Sequence, residues 1–73
     1  MLEVMRTGEK VRRLRRGNGL TQVELARATG VSQGTIAQIE NGEVQNPRPA
    51  TIKALADALS VSGMDLLDDP SEG

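Results

Sequence analysis

Between Gln22 and Asn41 the chain carries a spacing that few folds can use: Leu25-Ala26, then Gly30-Val31, then Ile36 and Ile39. Two helices that meet at a steep angle across a turn of about three or four residues bring their backbones close together. Such a crossing needs a small side chain inside the first helix, which Ala26 supplies. It also needs a turn residue that takes a positive φ without steric cost, which Gly30 supplies. Leu25, Val31, Ile36 and Ile39 bracket the crossing with apolar groups. Each feature alone is ordinary packing, and it is their joint spacing that constrains the fold.

The flanking punctuation extends this pair into an all-helical chain. Thr21, with Glu24 three residues on, spells a capping box, so a helix starts at Gln22 and runs to Gly30. Ser32 is the next N-cap, and Asn41-Gly42 ends the helix it opens. Upstream, Val11 and Leu14 share one face of a helix from Glu9 to about Gly17, stopped by Gly17-Asn18-Gly19. Downstream, Pro47 holds Glu43–Arg48 as a loop. Pro49 then suits the first turn of a helix over Pro49–Leu59 with Ile52, Leu55, Ala56 and Leu59 on one stripe. A fifth short turn near Gly63–Leu67 adds Met64, Leu66 and Leu67. No segment alternates apolar and polar residues with β-branched enrichment, and no internal repeat is present. The pattern predicts an all-α, compact five-helix domain over residues 9–67, with an N-terminal extension at 1–8 and an acidic, flexible tail at 68–73.

Composition narrows the chemistry. The 73 residues form one domain and include no Cys, His, Phe, Trp or Tyr, so the core is aliphatic and no disulfide staples it. A chain this short buries only about 60% of the surface its unfolded form exposes. The usual nitrogen and sulfur ligands of zinc are absent, as are the His and Cys of most nucleophile–base pairs. Gly17-Asn18-Gly19 follows a helix, not a strand, and is no dinucleotide fingerprint; Asp65, Asp68 and Asp69 read as part of an acidic end, not as a metal cluster. A binding protein without catalytic residues, metal or cofactor is expected. No apolar run approaches the ~20 residues of a membrane span and no signal-peptide pattern opens the chain, so a cytoplasmic protein is expected.

The net charge of −1 is unusual for a nucleic-acid binder, but its distribution is not. Residues 1–48 carry an excess of three positive charges and residues 49–73 an excess of four negative ones. Lys10, Arg12, Arg13, Arg15 and Arg16 cluster together, while Asp65, Asp68, Asp69 and Glu72 crowd the C-terminal end. Asymmetry of this kind, not the total, selects a charged partner. Charge alone does not separate a DNA-facing surface from a solvated helix face.

Taken together, Leu20-Thr21-Gln22, Glu24-Leu25-Ala26, Gly30-Val31-Ser32-Gln33, Ile36, Ile39-Glu40-Asn41-Gly42, Pro47, the Thr51–Leu59 helix and Met64–Leu67 resemble a known family. It is the helix-turn-helix family of lambdoid phage repressors and Cro proteins, also called the xenobiotic-response-element family. The resemblance covers about Lys10 to Leu67. It implies a lambda-repressor-like fold and a regulator of transcription that binds double-stranded DNA, a repressor acting on a near-palindromic operator.

The resemblance places Gln33, Gly34, Thr35 and Gln38 at positions that face bases. A Gln side chain pairs bidentately with adenine N6 and N7, and a Thr methyl packs on a thymine methyl. Gly34 has no side chain to read with and costs a helix interior about 1 kcal/mol relative to Ala. The family pattern puts Gln22 on the DNA backbone at a helix N-terminus, and Asn41, Gln45, Asn46 and Arg48 in the loop over the other strand. Many relatives carry more Lys and Arg in that loop, so Glu43, Gln45 and Asn46 imply weaker electrostatic binding. Arg15 and Glu40 match a family ion pair that ties the first helix to the end of the third, a structural role. Val61, Met64, Leu66 and Leu67 are candidate dimer contacts; the other use of Met64–Leu67 is ordinary closure of the core over the fourth helix, which some of them are expected to serve. One short helix reads few base pairs, whereas two related by a two-fold axis read half-sites roughly 34 Å apart; the homodimer is expected to be weak without DNA. The alternative is an antitoxin or other protein-interaction module of the same fold, with a protein partner and secondary DNA binding.

Overall fold

The computed structural model of the protein describes residues 4–69. Four α-helices, α1 (Thr7–Gly17), α2 (Gln22–Thr29), α3 (Gln33–Glu40) and α4 (Pro49–Leu59), are followed by a 3-10 turn, Gly63–Leu66. No strand occurs among the described residues, and none of the helices is long and apolar enough to cross a membrane.

Local chemistry sets the bounds of α2, α3 and α4. Thr21 Oγ1 accepts from the Glu24 amide at 3.0 Å while Glu24 Oε1 accepts from the Thr21 amide at 2.9 Å, the reciprocal bonds of a capping box. Gly30 ends α2 with φ at 75°, in the left-handed region. Thr29 Oγ1 then accepts from the Val31 amide at 3.1 Å. Ser32 Oγ caps α3 by accepting from the Thr35 amide at 3.2 Å, and Pro49 opens α4, where its missing N–H costs nothing.

The core is one aliphatic cluster: Val11 of α1, Leu25 of α2, Ile36 and Ile39 of α3, Ile52, Leu55, Ala56 and Leu59 of α4, and Leu66 of the 3-10 turn. Ala26 and Val31, either side of the α2–α3 turn, pack against it. α3 lies against both α1 and α2, and α4 against α2 and the 3-10 turn.

The structure departs from the sequence-based expectation at both ends of the domain. The fifth element is a 3-10 turn rather than an α-helix. Its bonds run from the Asp65 amide to Ser62 O at 3.0 Å and from the Leu67 amide to Met64 O at 3.3 Å, and four residues are too few to propagate an α-helix. Leu66, one of the candidate dimer contacts, is completely buried and closes the core, because this turn directs one of the three large apolar side chains inward. Met64 and Leu67 stay exposed.

α1 begins at Thr7, not Glu9, so Thr7 and Gly8 are part of the domain and not of an extension. Both are buried, Gly8 directly against the backbone of Ile39 and Glu40. Arg6, at the N-cap position, makes no side-chain cap. The cap comes from the other end of the chain: Asp68 Oδ1 accepts from the Thr7 amide at 2.7 Å and from Thr7 Oγ1 at 3.1 Å. Asp69 continues the clasp. Its carboxylate accepts from the Met5 amide at 3.0 Å and from Lys10 Nζ at 2.6 Å, and its own amide donates to Met5 O at 2.9 Å. Asp68 and Asp69, expected in a flexible tail, are thereby tied to α1; the rest of that tail lies outside the described residues.

These bonds pull both carboxyls below their ordinary range, Asp68 chiefly through the Thr7 amide and Asp69 chiefly through Lys10. Each titrates at lower pH folded than unfolded. Their contribution to stability is therefore complete above the unfolded value, about pH 4, and drains away as pH falls through the folded one. Asp68→Ala is expected to cost about 1 kcal/mol at pH 7, the usual value of a helix cap, lowering Tm by about 4–8 °C. Thermal melts at pH 7 and pH 3 check both statements. The gap between parent and variant should narrow at pH 3, and an equal gap at the two pH values would show that Asp68 acts through something other than its charge.

Candidate nucleic-acid interface

The α3 helix buries Ile36, Ile39 and Glu40 and turns Gln33, Gly34 and Gln38 to solvent, with Thr35 half-buried between the faces. Its two glutamines are five residues apart, about 1.4 turns and roughly 140° around the axis, so they bracket the exposed side and reach different base edges along a groove wide enough for a helix. Thr35 Oγ1 accepts from Ser32 Oγ at 2.8 Å, which fixes the hydroxyl at the helix start. No atom beyond its own helix lies within 4 Å of the position a Cβ on Gly34 would take, so packing does not require glycine there.

Behind this face runs a continuous polar chain. Arg15 Nε and one terminal nitrogen clamp Glu40 at 2.7 and 3.0 Å, while its other terminal nitrogen donates to Leu20 O at 2.8 Å. The Glu40 side chain is fully buried and that of Arg15 is 10% exposed. Gln22 Nε2 donates to Glu40 Oε1 at 3.2 Å, and Gln22 Oε1 accepts from Gln33 Nε2 at 3.1 Å. Burial pushes the Glu40 carboxyl up, but the bonds from Arg15, Gln22 and Arg12 outweigh it and hold the group below its ordinary range. The same bond to Glu40 raises the Arg15 guanidinium. α1, the start of α2 and both ends of α3 are thus joined through one carboxylate.

Asn41, Gln45, Asn46 and Arg48 are exposed along the segment from the end of α3 to the start of α4, and Gln22 is half-buried. Gln22, Gln33 and Asn41 are joined to the polar chain. Gln45, Asn46 and Arg48 stand apart in the loop, with Gln45 and Asn46 beside Pro47 and the Asp68 clasp.

Arg12, in the sequence one member of the basic cluster with no role of its own, has a defined place in the structure. Its guanidinium reaches over the C-terminal end of α3, donating to Glu40 O at 3.2 Å and Asn41 Oδ1 at 3.3 Å. The sequence signal for this role is the three-residue spacing from Arg15, which puts both on one face of α1. The basic cluster is therefore divided. Lys10 holds Asp69, Arg12 and Arg15 hold Glu40, and Arg13 and Arg16 point to solvent. Where α4 meets the 3-10 turn, Met64 and Leu67 flank a shallow, largely apolar groove whose lining includes Pro47, Ile52, Ala56 and Val61.

Residues 11–66 match the model of the HTH_3 family, described as helix-turn-helix. Over 54 residues, 74% of this chain, it is 50% identical to two proteins of Bacillus subtilis (strain 168). One is the uncharacterized HTH-type transcriptional regulator RghRB and the other the HTH-type transcriptional repressor RghR. The chain spans only about two fifths of the length of either, 39% and 40%. Among solved structures it is similar to the P22 c2 repressor in complex with synthetic operator 9T, with a TM-score of 0.80 and 33% identity. That match covers 86% of this chain and 94% of the repressor chain. The chain is a member of the HTH_3 helix-turn-helix family.

Proposed function

We propose that the protein is a sequence-specific double-stranded DNA-binding regulator of transcription, of the lambdoid repressor and Cro type, and that it represses by occupying a near-palindromic operator. The observation that carries this reading is α3 itself: eight residues whose apolar side is core and whose solvent side offers Gln33 and Gln38 for hydrogen bonding. Gln33, Thr35 and Gln38 read bases, and Gly34 lets the backbone come close without reading. Gln22, Asn41, Gln45, Asn46 and Arg48 hold phosphates. The protein acts as a dimer completed on DNA, pairing through Val61, Met64 and Leu67.

Selection of bound fragments from genomic and random DNA pools at about 0.15 M salt tests this. A shared near-palindrome with half-sites about one helical turn apart supports it. The absence of any enriched sequence would leave the protein-interaction reading, in which Met64 and Leu67 meet a different chain. On the recovered site, Gln33→Ala or Gln38→Ala is expected to cost about 1–3 kcal/mol and far less on random DNA, whereas Arg48→Ala weakens both alike. Titrations of labelled duplexes distinguish these patterns, and equal losses on both DNAs for the glutamine variants would remove them as base readers.

A further inference from the structure

We propose that Glu40 fixes the amide polarity of Gln33 through Gln22, so that Gln33 meets its base pair with donor and acceptor in one preset arrangement. The inference rests on reading α3 as the base-reading helix. A glutamine amide can be turned over at little cost in solvent, exchanging its donor and its acceptor. At the surface of α3 that freedom is removed from behind. Glu40 is a buried carboxylate held by Arg15, with Arg12 Nε a further 3.5 Å from Oε1. An ionised carboxylate accepts and cannot donate, so the Gln22 atom facing it at 3.2 Å is the Nε2 group. Gln22 Oε1 is then directed the other way, toward Gln33, and the Gln33 atom that meets it at 3.1 Å is again an Nε2 group. Gln33 uses one amide proton in this contact. Its second amide proton and its Oε1 remain for the exposed side, one donor and one acceptor, the pair that adenine N7 and N6 require.

Turning Gln33 over would set its oxygen against Gln22 Oε1, and turning both over would set Gln22 Oε1 against the Glu40 carboxylate. The first sets two acceptors against each other at the exposed Gln22–Gln33 contact, and the second does so at the partly buried Gln22–Glu40 contact, where the cost is greater. Glu40 is thus a positioning residue: it is buried behind Gln22, and yet it determines which atom Gln33 presents. The same carboxylate ties α1 to α3 through Arg15, so the fold and the reading side chain share one anchor.

Two variants separate this from a purely structural or phosphate-binding role. Glu40→Gln keeps Gln22 and Gln33 but replaces an acceptor-only group with one that can present either atom, and Gln22→Met severs the relay while leaving Glu40 with Arg15. Each is titrated against the duplex recovered by selection and against duplexes altered at the base pair opposite Gln33 or at that opposite Gln38. Discrimination at the Gln33 pair is expected to fall about tenfold, within the range one bidentate contact supplies. Discrimination at the Gln38 pair should be unchanged. Uniform weakening on all duplexes with both discriminations intact overturns the proposal. Should Glu40→Gln fail to fold, replacing Arg15 and Glu40 together with methionine removes the carboxylate without stranding its partner and carries the same comparison, while Gln22→Met tests the link from Gln22 to Gln33. Side-chain 15N relaxation of the free protein gives an arm that needs no DNA. The Gln33 amide should be ordered in the parent and released in Gln22→Met, and equal mobility in the two overturns the relay. If selection finds no preferred site, the proposed function fails and the relaxation arm still decides the relay.

Discussion

Replacing Arg15 with alanine is expected to cost about 3–5 kcal/mol, because it strips the main partner from a fully buried Glu40 carboxylate. A domain of 73 residues has a total stability of roughly 4–11 kcal/mol, so the variant sits at or near the edge of folding at 37 °C. Two bonds to Glu40 and one to Leu20 O vanish together, and neither Arg12 at 3.5 Å nor Gln22 replaces a bidentate guanidinium. Urea denaturation followed by circular dichroism measures the loss. A variant within about 1 kcal/mol of the parent would mean that the pair behaves as a solvated surface bridge. Unimpaired stability with abolished DNA binding would make Arg15 a DNA contact.

The pH dependence of this variant has a sign of its own. In the parent, Glu40 titrates below its ordinary range, so the pair's contribution is lost as pH falls below about 4. Without Arg15, the burial that pushes the carboxyl up is opposed only by Gln22 and Arg12, so the carboxyl is expected to titrate higher than in the parent, and protonation then relieves the variant as pH falls. The difference between parent and variant should shrink on acidification. Replacing both partners with methionine should recover much of the loss at neutral pH, since an apolar pair carries no uncompensated charge.

What was legible in the sequence is what local chemistry decides. Thr21 with Glu24, Gly30, Ser32 and Pro49 act within four residues of the boundaries they set: α2, α3 and α4 begin, and α2 ends, where those residues place them. The start of α1 was not legible, because its cap, Asp68, lies 61 residues away and no periodicity reports a contact across that separation. Leu66 could not be told from Met64 and Leu67, since three apolar residues in four positions leave the inward one undetermined until the turn type is known. On the interface, the solvent face of α3 follows from Ile36 and Ile39 facing inward. The Arg15–Glu40 pair is anticipated by the family resemblance, but its extension through Gln22 to Gln33 does not follow, since it depends on how closely the helices approach one another.

That closeness is what Gly8→Ala probes. A Cβ on Gly8 would fall on the carbonyl oxygen of Ile39, at 3.1 Å from its carbonyl carbon and 3.2 Å from the Glu40 Cα. All three are backbone atoms of α3, which cannot rotate away as a side chain can, so α1 must retreat. Retreat loosens Val11 from the core, the Asp68 cap on the adjacent Thr7 and the clamp of Arg15 on Glu40. The expected loss is at least about 3 kcal/mol, the upper range of overpacking, and it exceeds the roughly 1 kcal/mol by which alanine is the better helix former. Gly34→Ala is the matched control. It is also inside a helix, but nothing lies within 4 Å of its added methyl, so the same substitution is expected to raise stability by up to about 1 kcal/mol. Opposite signs in parallel urea titrations would establish that α1 and α3 touch through Gly8. A stabilised Gly8→Ala would mean that the two helices stand further apart than this packing requires, and with them Arg15 and the carboxylate that orients Gln22.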